Sequence, residues 1–287
     1  MYLVCYPQGG FNDMMSRIWY CYTYCITFGR TLIIDTTKNW FNDDLSVYLT
    51  FTFPSHYKKD ATSEFITSLY KETVFPKELK EMDNDHFPKI IWKAPGHMET
   101  DTGILVSSRL NRVYDETVLV YADCGSIAHI TNILSFTIFT PMVLDEVKKR
   151  REMLPKEYTS VHIRNTDYKS NLDDFLTSHD SIFKQSPLFV ATDHAPTLEL
   201  MKSKYQVYSF SSIPIVDEGI NIHESQQSQS LRTTLLETRT FNLDIMCDFL
   251  ILALGNEYYF SQRDSGFSRS VYFLHGHKTL VHFLTKL

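Results

Sequence analysis

Apolar positions fall into two rhythms that alternate along the chain. Tyr2 to Tyr6 and Thr31 to Asp35 are short, nearly continuous apolar runs. Between them Ile18, Cys21, Tyr22, Cys25 and Ile26 recur at helical spacing and form one apolar face. An apolar run without polar alternation is what a strand buried on both faces requires, as in a parallel sheet. The first 36 residues therefore predict a strand, a helix and a second strand. Gly9-Gly10 lies in the strand-to-helix turn, Asn12 is placed to cap the helix, and Gly29 stands where a helix stops.

Residues 37–115 are less regular and predict loops and short helices. An apolar strand at Val118 to Tyr121 runs into Asp123-Cys124-Gly125-Ser126, a second strand-end turn. The charged helical stretch Asp145 to Arg151 marks the expected boundary between two domains, 1–148 and 149–287. Beyond it the α/β rhythm resumes. Strands are predicted at Ser160 to Arg164, Leu188 to Ala191, Val207 to Phe210 and Tyr258 to Phe260. Pro196 suits the first turn of a helix running to about Lys204. A longer helix is predicted from about Arg232 to Leu254, stopped by Gly255, and the polar run Asn221 to Ser230 reads as a loop. The fold class is α/β with two Rossmann-like domains, and no repeat of fixed period is present.

Composition narrows the function. The net charge of −6 and the lack of a long basic run argue against nucleic acid as the main partner. Five cysteines, an odd number without zinc-type pairs, read as reduced core residues of a cytosolic protein. Met1 leads straight into a strand, with no signal peptide and no apolar run long enough to span a membrane. Walker, dinucleotide-binding and nucleophile-elbow motifs are missing.

The candidate chemistry gathers where strands end. The strand at 160–164 closes in His162-Ile163-Arg164-Asn165-Thr166-Asp167. Ligands of open α/β sheets bind at the carboxyl ends of strands, and a planar guanidinium grips phosphate oxygens two at a time. Arg164 is thus the candidate for holding an anionic ligand. His162, two residues earlier, shares its sheet face and is either a ligand contact or a satisfied core histidine. Asp193 ends the next strand, as a ligand contact or a helix N-cap. Asp244 lies in the long helix, as a ligand contact or a solvated position. Ser265-Gly266-Phe267-Ser268-Arg269 follows a strand and opens a helix, a ready anion site. Asp83-Asn84-Asp85 sits in a polar run and reads as a solvated loop, so no metal site is expected.

His162 to Asp167, Val190 to Asp193, Leu243-Asp244-Ile245, Ser265 to Arg269 and Gly9 to Asn12 keep the order and approximate spacing of motifs in the fucosyltransferase superfamily with the GT-B fold. The chain resembles the α-1,6-, nodulation and protein O-fucosyltransferases. The resemblance implies two Rossmann-like domains facing a cleft, and an inverting, metal-independent transfer of a sugar. The default donor is GDP-fucose, the acceptor a glycan or glycoconjugate hydroxyl, and no cofactor is needed. It implies that Gly10, Asn12, His162, Arg164, Asp193, Asp244 and Ser265, Gly266, Phe267, Ser268 and Arg269 bind the nucleotide sugar. Asp173 and Asp174 are candidates for the base, with Asp13 and Asp123 as rivals. Asn165 departs from the motif, where many relatives carry a second Arg. This opens the alternative of another donor, such as a UDP-linked sugar, with Arg269 or Lys169 supplying the missing charge. A catalytically silent nucleotide- or glycan-binding module is the further alternative. Most eukaryotic Golgi relatives carry a membrane anchor, so a cytoplasmic protein of bacterial or viral origin, or a shortened form, is expected.

Overall fold

The computed structural model describes residues 1–94, 96–125, 130–166, 170–213 and 234–285. The chain divides into two compact units, Met1–Ile138 and Phe139–Leu287. In the first, β1 (Tyr2–Pro7) leads through α1 (Phe11–Phe28) to β2 (Thr31–Ile34). There follow β3 (Leu49–Phe51), α2 (Ser63–Leu69), β4 (Val74–Phe75), the antiparallel hairpin β5 (Ile90–Ala94) and β6 (His97–Thr100), β7 (Val118–Asp123), α3 (Thr131–Leu134) and β8 (Thr137–Phe139). The region expected to hold loops and short helices thus also contributes strands. The main sheet has the order β2-β1-β7-β4 with every pairing parallel. All of β7 and all but the first residue of β1 are buried, which is why these strands read as continuous apolar runs.

Gly29 ends α1 in the left-handed conformation with φ +66°, and its amide donates to Cys25 O. The other end differs from expectation. Gly10, not Asn12, is the N-cap, and Asn12 is buried in the first turn. All five cysteines are free thiols.

The second unit opens with α4 (Pro141–Glu152) and continues through β9 (Thr159–Ile163), α5 (Leu172–Phe183), β10 (Leu188–Thr192), α6 (Ala195–Lys204) and β11 (Val207–Tyr208). After it come α7 (Leu235–Leu254), β12 (Glu257–Phe260), α8 (Gly266–Gly276) and α9 (Lys278–Thr285). Position 148 lies inside α4, whose buried Val143, Val147 and Arg150 pack this helix into the second unit. The sheet order is β11-β10-β9-β12, again parallel throughout. β11 stops at Tyr208, two residues short of the predicted end. α7 starts from a capping box in which Thr234 and Glu237 satisfy each other's backbone amides. Its expected start at Arg232, the stretch 221–230, Ser126, Asp167, Tyr168 and Lys169 lie outside the described residues.

The strand order matters for function. From β9 the chain steps to β10 and then β11 on one side, and later returns to lay β12 on the other side of β9. The order therefore reverses between β9 and β12. It reverses likewise in the first unit between β1 and β7. Such switch points leave a crevice outside the carboxyl ends of the strands.

Candidate functional site

Arg164 follows β9 directly at the switch point. Its backbone amide donates to Ser261 Oγ at 3.2 Å, just beyond the end of β12. Its guanidinium Nε lies 3.5 Å from Asp193 Oδ2. The same carboxylate accepts from the Asn165 amide at 2.8 Å and from Thr166 Oγ1 at 2.7 Å. Asp193 is therefore not the N-cap of α6, a place taken by His194. Asn165 turns its side chain amide to Thr197 Oγ1 at 3.1 Å, and its carbonyl oxygen accepts from the Ser170 amide at 3.3 Å. Asn165 thus fastens the β9 exit to α6.

His162 is buried within β9. Its Nδ1 is 2.6 Å from Ser268 Oγ, and its ring packs 5.0 Å from that of Phe267. Burial first, and the nearby Arg164 second, push its pKa down to about 3, so the imidazole is neutral at physiological pH. The sequence alternatives for His162 merge here: it is a satisfied histidine, and its partner lies on the loop expected to hold anions.

That loop opens α8. Ser265 is the N-cap, its Oγ accepting from the Ser268 amide at 3.3 Å. The amides of Gly266 and Phe267 make no hydrogen bond among the described residues. A helix N-terminus with open amides carries partial positive charge that suits an anion. The Ser268 hydroxyl is engaged with His162, and Arg269 is exposed on the helix surface.

Asp244 is not a solvated helix position. It is 6% exposed, pairs with Arg150 Nη2 of α4 through Oδ1, and accepts from the Ser212 amide at 3.1 Å through Oδ2. Arg150 also donates to Glu146 Oε1 at 2.8 Å and lies 3.9 Å from Asp248 Oδ1. Burial raises the Asp248 pKa to about 7, and neighbouring Asp244 adds to the rise. Asp173 and Asp174 are exposed in the first turn of α5, where Asp174 is tied to the N-cap Asn171.

In the first unit, Gly9 and Gly10 leave β1 at its own switch point. Gly9 has φ +85°, and a Cβ there would sit 2.9 Å from Asp13 Cβ. Asp123 ends β7 paired with Arg17 at 3.0 Å. Within Asp83-Asn84-Asp85 only the two carboxylates are exposed. Asn84 is buried and donates to Asp35 Oδ2 at 3.0 Å, which corrects the reading of the whole triplet as solvated. Among the described residues no group of three or more His, Cys, Asp or Glu side chains can share a metal ion. None of their helices is long and apolar enough to cross a membrane.

Sequence reasoning missed Arg150, Ser170 and Ser261. Arg150 carried no signal, because it sits in a charged helical run. Ser261 was the residue after a predicted strand, a position that marks the same sheet edge as Arg164.

No family model and no curated protein matches the chain. Solved structures do. NodZ α-1,6-fucosyltransferase, in crystals grown with GDP and in crystals soaked with GDP-fucose, superposes with a TM-score of 0.60 at 14% identity, over 95% of this chain and 92% of that one. The fold is fucosyltransferase-like. The selenomethionine form of NodZ from Bradyrhizobium matches to the same degree. The architecture is thus α/β of the GT-B class, with two Rossmann-like units.

Proposed function

We propose that the chain is an inverting, metal-independent glycosyltransferase that moves L-fucose from GDP-fucose to a hydroxyl of a glycan or glycoconjugate. The observation that carries this reading is Arg164 at the β9/β12 switch point, with the N-terminus of α8 linked to the same strand through His162 and Ser268. Transfer from a nucleotide sugar releases a diphosphate. Arg164 and the amides of the Ser265–Arg269 turn supply positive charge for it without a bound ion. The acceptor hydroxyl attacks the anomeric carbon from the face opposite the leaving group. Asp173 and Asp174 are the candidates for taking its proton. NodZ, the structural neighbour, was crystallised with GDP and soaked with GDP-fucose, which supports a donor of that class.

A second donor reading is favoured by one observation. Both Asp244 oxygens already accept hydrogen bonds, from Arg150 and from the Ser212 amide. A guanine edge offers a carboxylate two N–H donors, whereas uracil offers one, so a UDP-linked sugar makes the smaller demand on this residue. A thermal-shift panel with GDP, UDP, CDP and ADP, with and without EDTA, tests both readings. A nucleotide at about 100 times its Kd adds about 2.7 kcal/mol of stability. Stabilisation by GDP that EDTA leaves unchanged is the expected result. Stabilisation by UDP alone moves the donor, and no response to any nucleotide overturns the transferase reading.

A further inference from the structure

One side chain holds three successive residues of the β9 exit. Asp193 receives the Asn165 amide on Oδ1, receives the Thr166 hydroxyl on Oδ2, and faces Arg164 Nε with that same oxygen. Asp193 leaves β10, the strand beside β9, so the clamp spans neighbouring strand ends. Both partners are largely withdrawn from water, with side-chain exposures of 17% for Arg164 and 11% for Asp193. A guanidinium grips a diphosphate better when its plane is set in advance, because a free arginine side chain loses rotamer freedom on being fixed.

Charge alone points the other way. A carboxylate beside an anion site repels the anion and cancels part of the Arg164 field. Its presence there favours anion binding only through the geometry it imposes. Resting on the reading that Arg164 takes the donor diphosphate, we infer that Asp193 is a positioning residue, one that sets the Arg164 guanidinium and the turn beneath it rather than contacting the nucleobase. The two views predict opposite signs. Removing the negative charge tightens anion binding if Asp193 acts only as a nearby charge, and weakens it if Asp193 positions Arg164.

The test titrates inorganic pyrophosphate, a probe without a base, into the full chain by calorimetry. The proteins are the wild type, Arg164→Ala, Asp193→Asn and the double variant. We expect Arg164→Ala to weaken binding at least about tenfold. Asp193→Asn should weaken it about three- to tenfold despite losing a negative charge. The double variant should be no weaker than Arg164→Ala alone, because a role exercised through Arg164 vanishes with it. A separate structural role would instead add its loss in the Arg164→Ala background, and that overturns the inference. Equal or tighter binding by Asp193→Asn, with Arg164→Ala weakened, also overturns it while leaving the diphosphate reading intact. Unchanged affinity in Arg164→Ala, or no binding by the wild type, removes the diphosphate reading itself and the inference with it. Should Asp193→Asn fail to fold, Thr166→Val removes one arm of the clamp without changing charge. A loss of about threefold then supports the inference, and no loss overturns it.

Discussion

Arg164 and Asn165 are adjacent in the chain and share Asp193, but their side chains are used differently: the Arg164 guanidinium faces that carboxylate, whereas the Asn165 side-chain amide reaches Thr197 Oγ1. Arg164 is expected to act on charge that develops during transfer, where removing one preorganised donor costs about 10²–10³-fold in rate. Arg164→Ala should lower turnover by that amount or more while leaving the circular dichroism spectrum and melting temperature near those of the wild type; near-normal turnover would remove it from the site. Asp248 gives a residue-level prediction of another kind. Its folded-state pKa of about 7 lies above the ordinary carboxylate value, because burial disfavours the ion. The folded state then binds more protons than the unfolded state between about pH 4 and 7, so this group's contribution to stability falls as pH rises through that window. Asp248→Asn, which imitates the protonated form, should raise the melting temperature by several degrees at pH 8 and leave it nearly unchanged at pH 4. His162 acts in the opposite direction. Its folded-state pKa is depressed to about 3, so its contribution is full above about pH 6.5 and is lost as pH falls towards 3. An Asp248→Asn protein with no pH-dependent gain would show that the cluster around Arg150, formed by Glu146, Asp244, Asp248 and the Ser211 hydroxyl that accepts from Arg150 Nη1 at 3.4 Å, tolerates the ionised carboxylate.

At the scale of elements, Gly255 separates two uses of glycine. Gly29 is needed for its positive φ and has open space around it. Gly255 has φ −57°, which any residue accepts, but a Cβ there would lie 3.0 Å from Ser160 Cβ and closer still to its hydroxyl. The end of α7 must pass directly over β9. Gly255→Ala should cost about 1–3 kcal/mol in denaturant unfolding, as overpacking does, and Ser160→Ala should recover part of the loss in that background. Strict additivity of the two changes would rule out the close approach as the cause. The elements themselves were largely legible from sequence. Parallel strands buried on both faces leave continuous apolar runs, and stops such as Gly29 carry conformational information in one residue. The irregular region 37–115 was not, because strands of two or three residues such as β3 and β4 are too short to show a period. Nor was the N-cap of α1, since Asn12 is a good capping residue displaced two positions by the Gly9-Gly10 turn. Within the candidate site, Arg164 and the Ser265 turn could be found because each stands at a strand end. Their partners could not. Whether Asp193 faces a base, a helix end or Arg164 depends on β10 lying beside β9, and the contacts of His162 with Ser268 and of Arg164 with Ser261 depend on β12 lying on the other side, adjacencies that no local pattern reports.

Among the described residues, two four-stranded parallel sheets each have their own core. In the first unit Val4, Tyr6, Ile33, Val118 and Val120 pack together, and in the second Val161, Ile163, Phe183, Leu188, Val190 and Met201 do. A fully buried side chain of this kind contributes about 1.5–3 kcal/mol relative to exposure, so each unit has the material of an independent core. Where one unit ends decides whether that core survives separation. The charge pattern at Asp145 to Arg151 suggests a cut near 148, yet α4 starts at Pro141, and its Val143 and Val147 are fully buried. Its Arg150 is the cation facing Asp244 and lies within 4 Å of Asp248. A fragment starting at 149 keeps Arg150 but loses the helix that holds it, which leaves carboxylates of α7 without a fixed partner. Breaking a buried pair in this way costs about 3–5 kcal/mol, and loss of the two valines adds to it. That sum approaches the whole stability of a domain. Residues 139–287 should therefore unfold cooperatively in urea and retain pyrophosphate binding, whereas residues 149–287 should show no cooperative transition. Equal folding of the two fragments would mean that α4 contributes little to the second unit and that the Arg150 ion pair is dispensable.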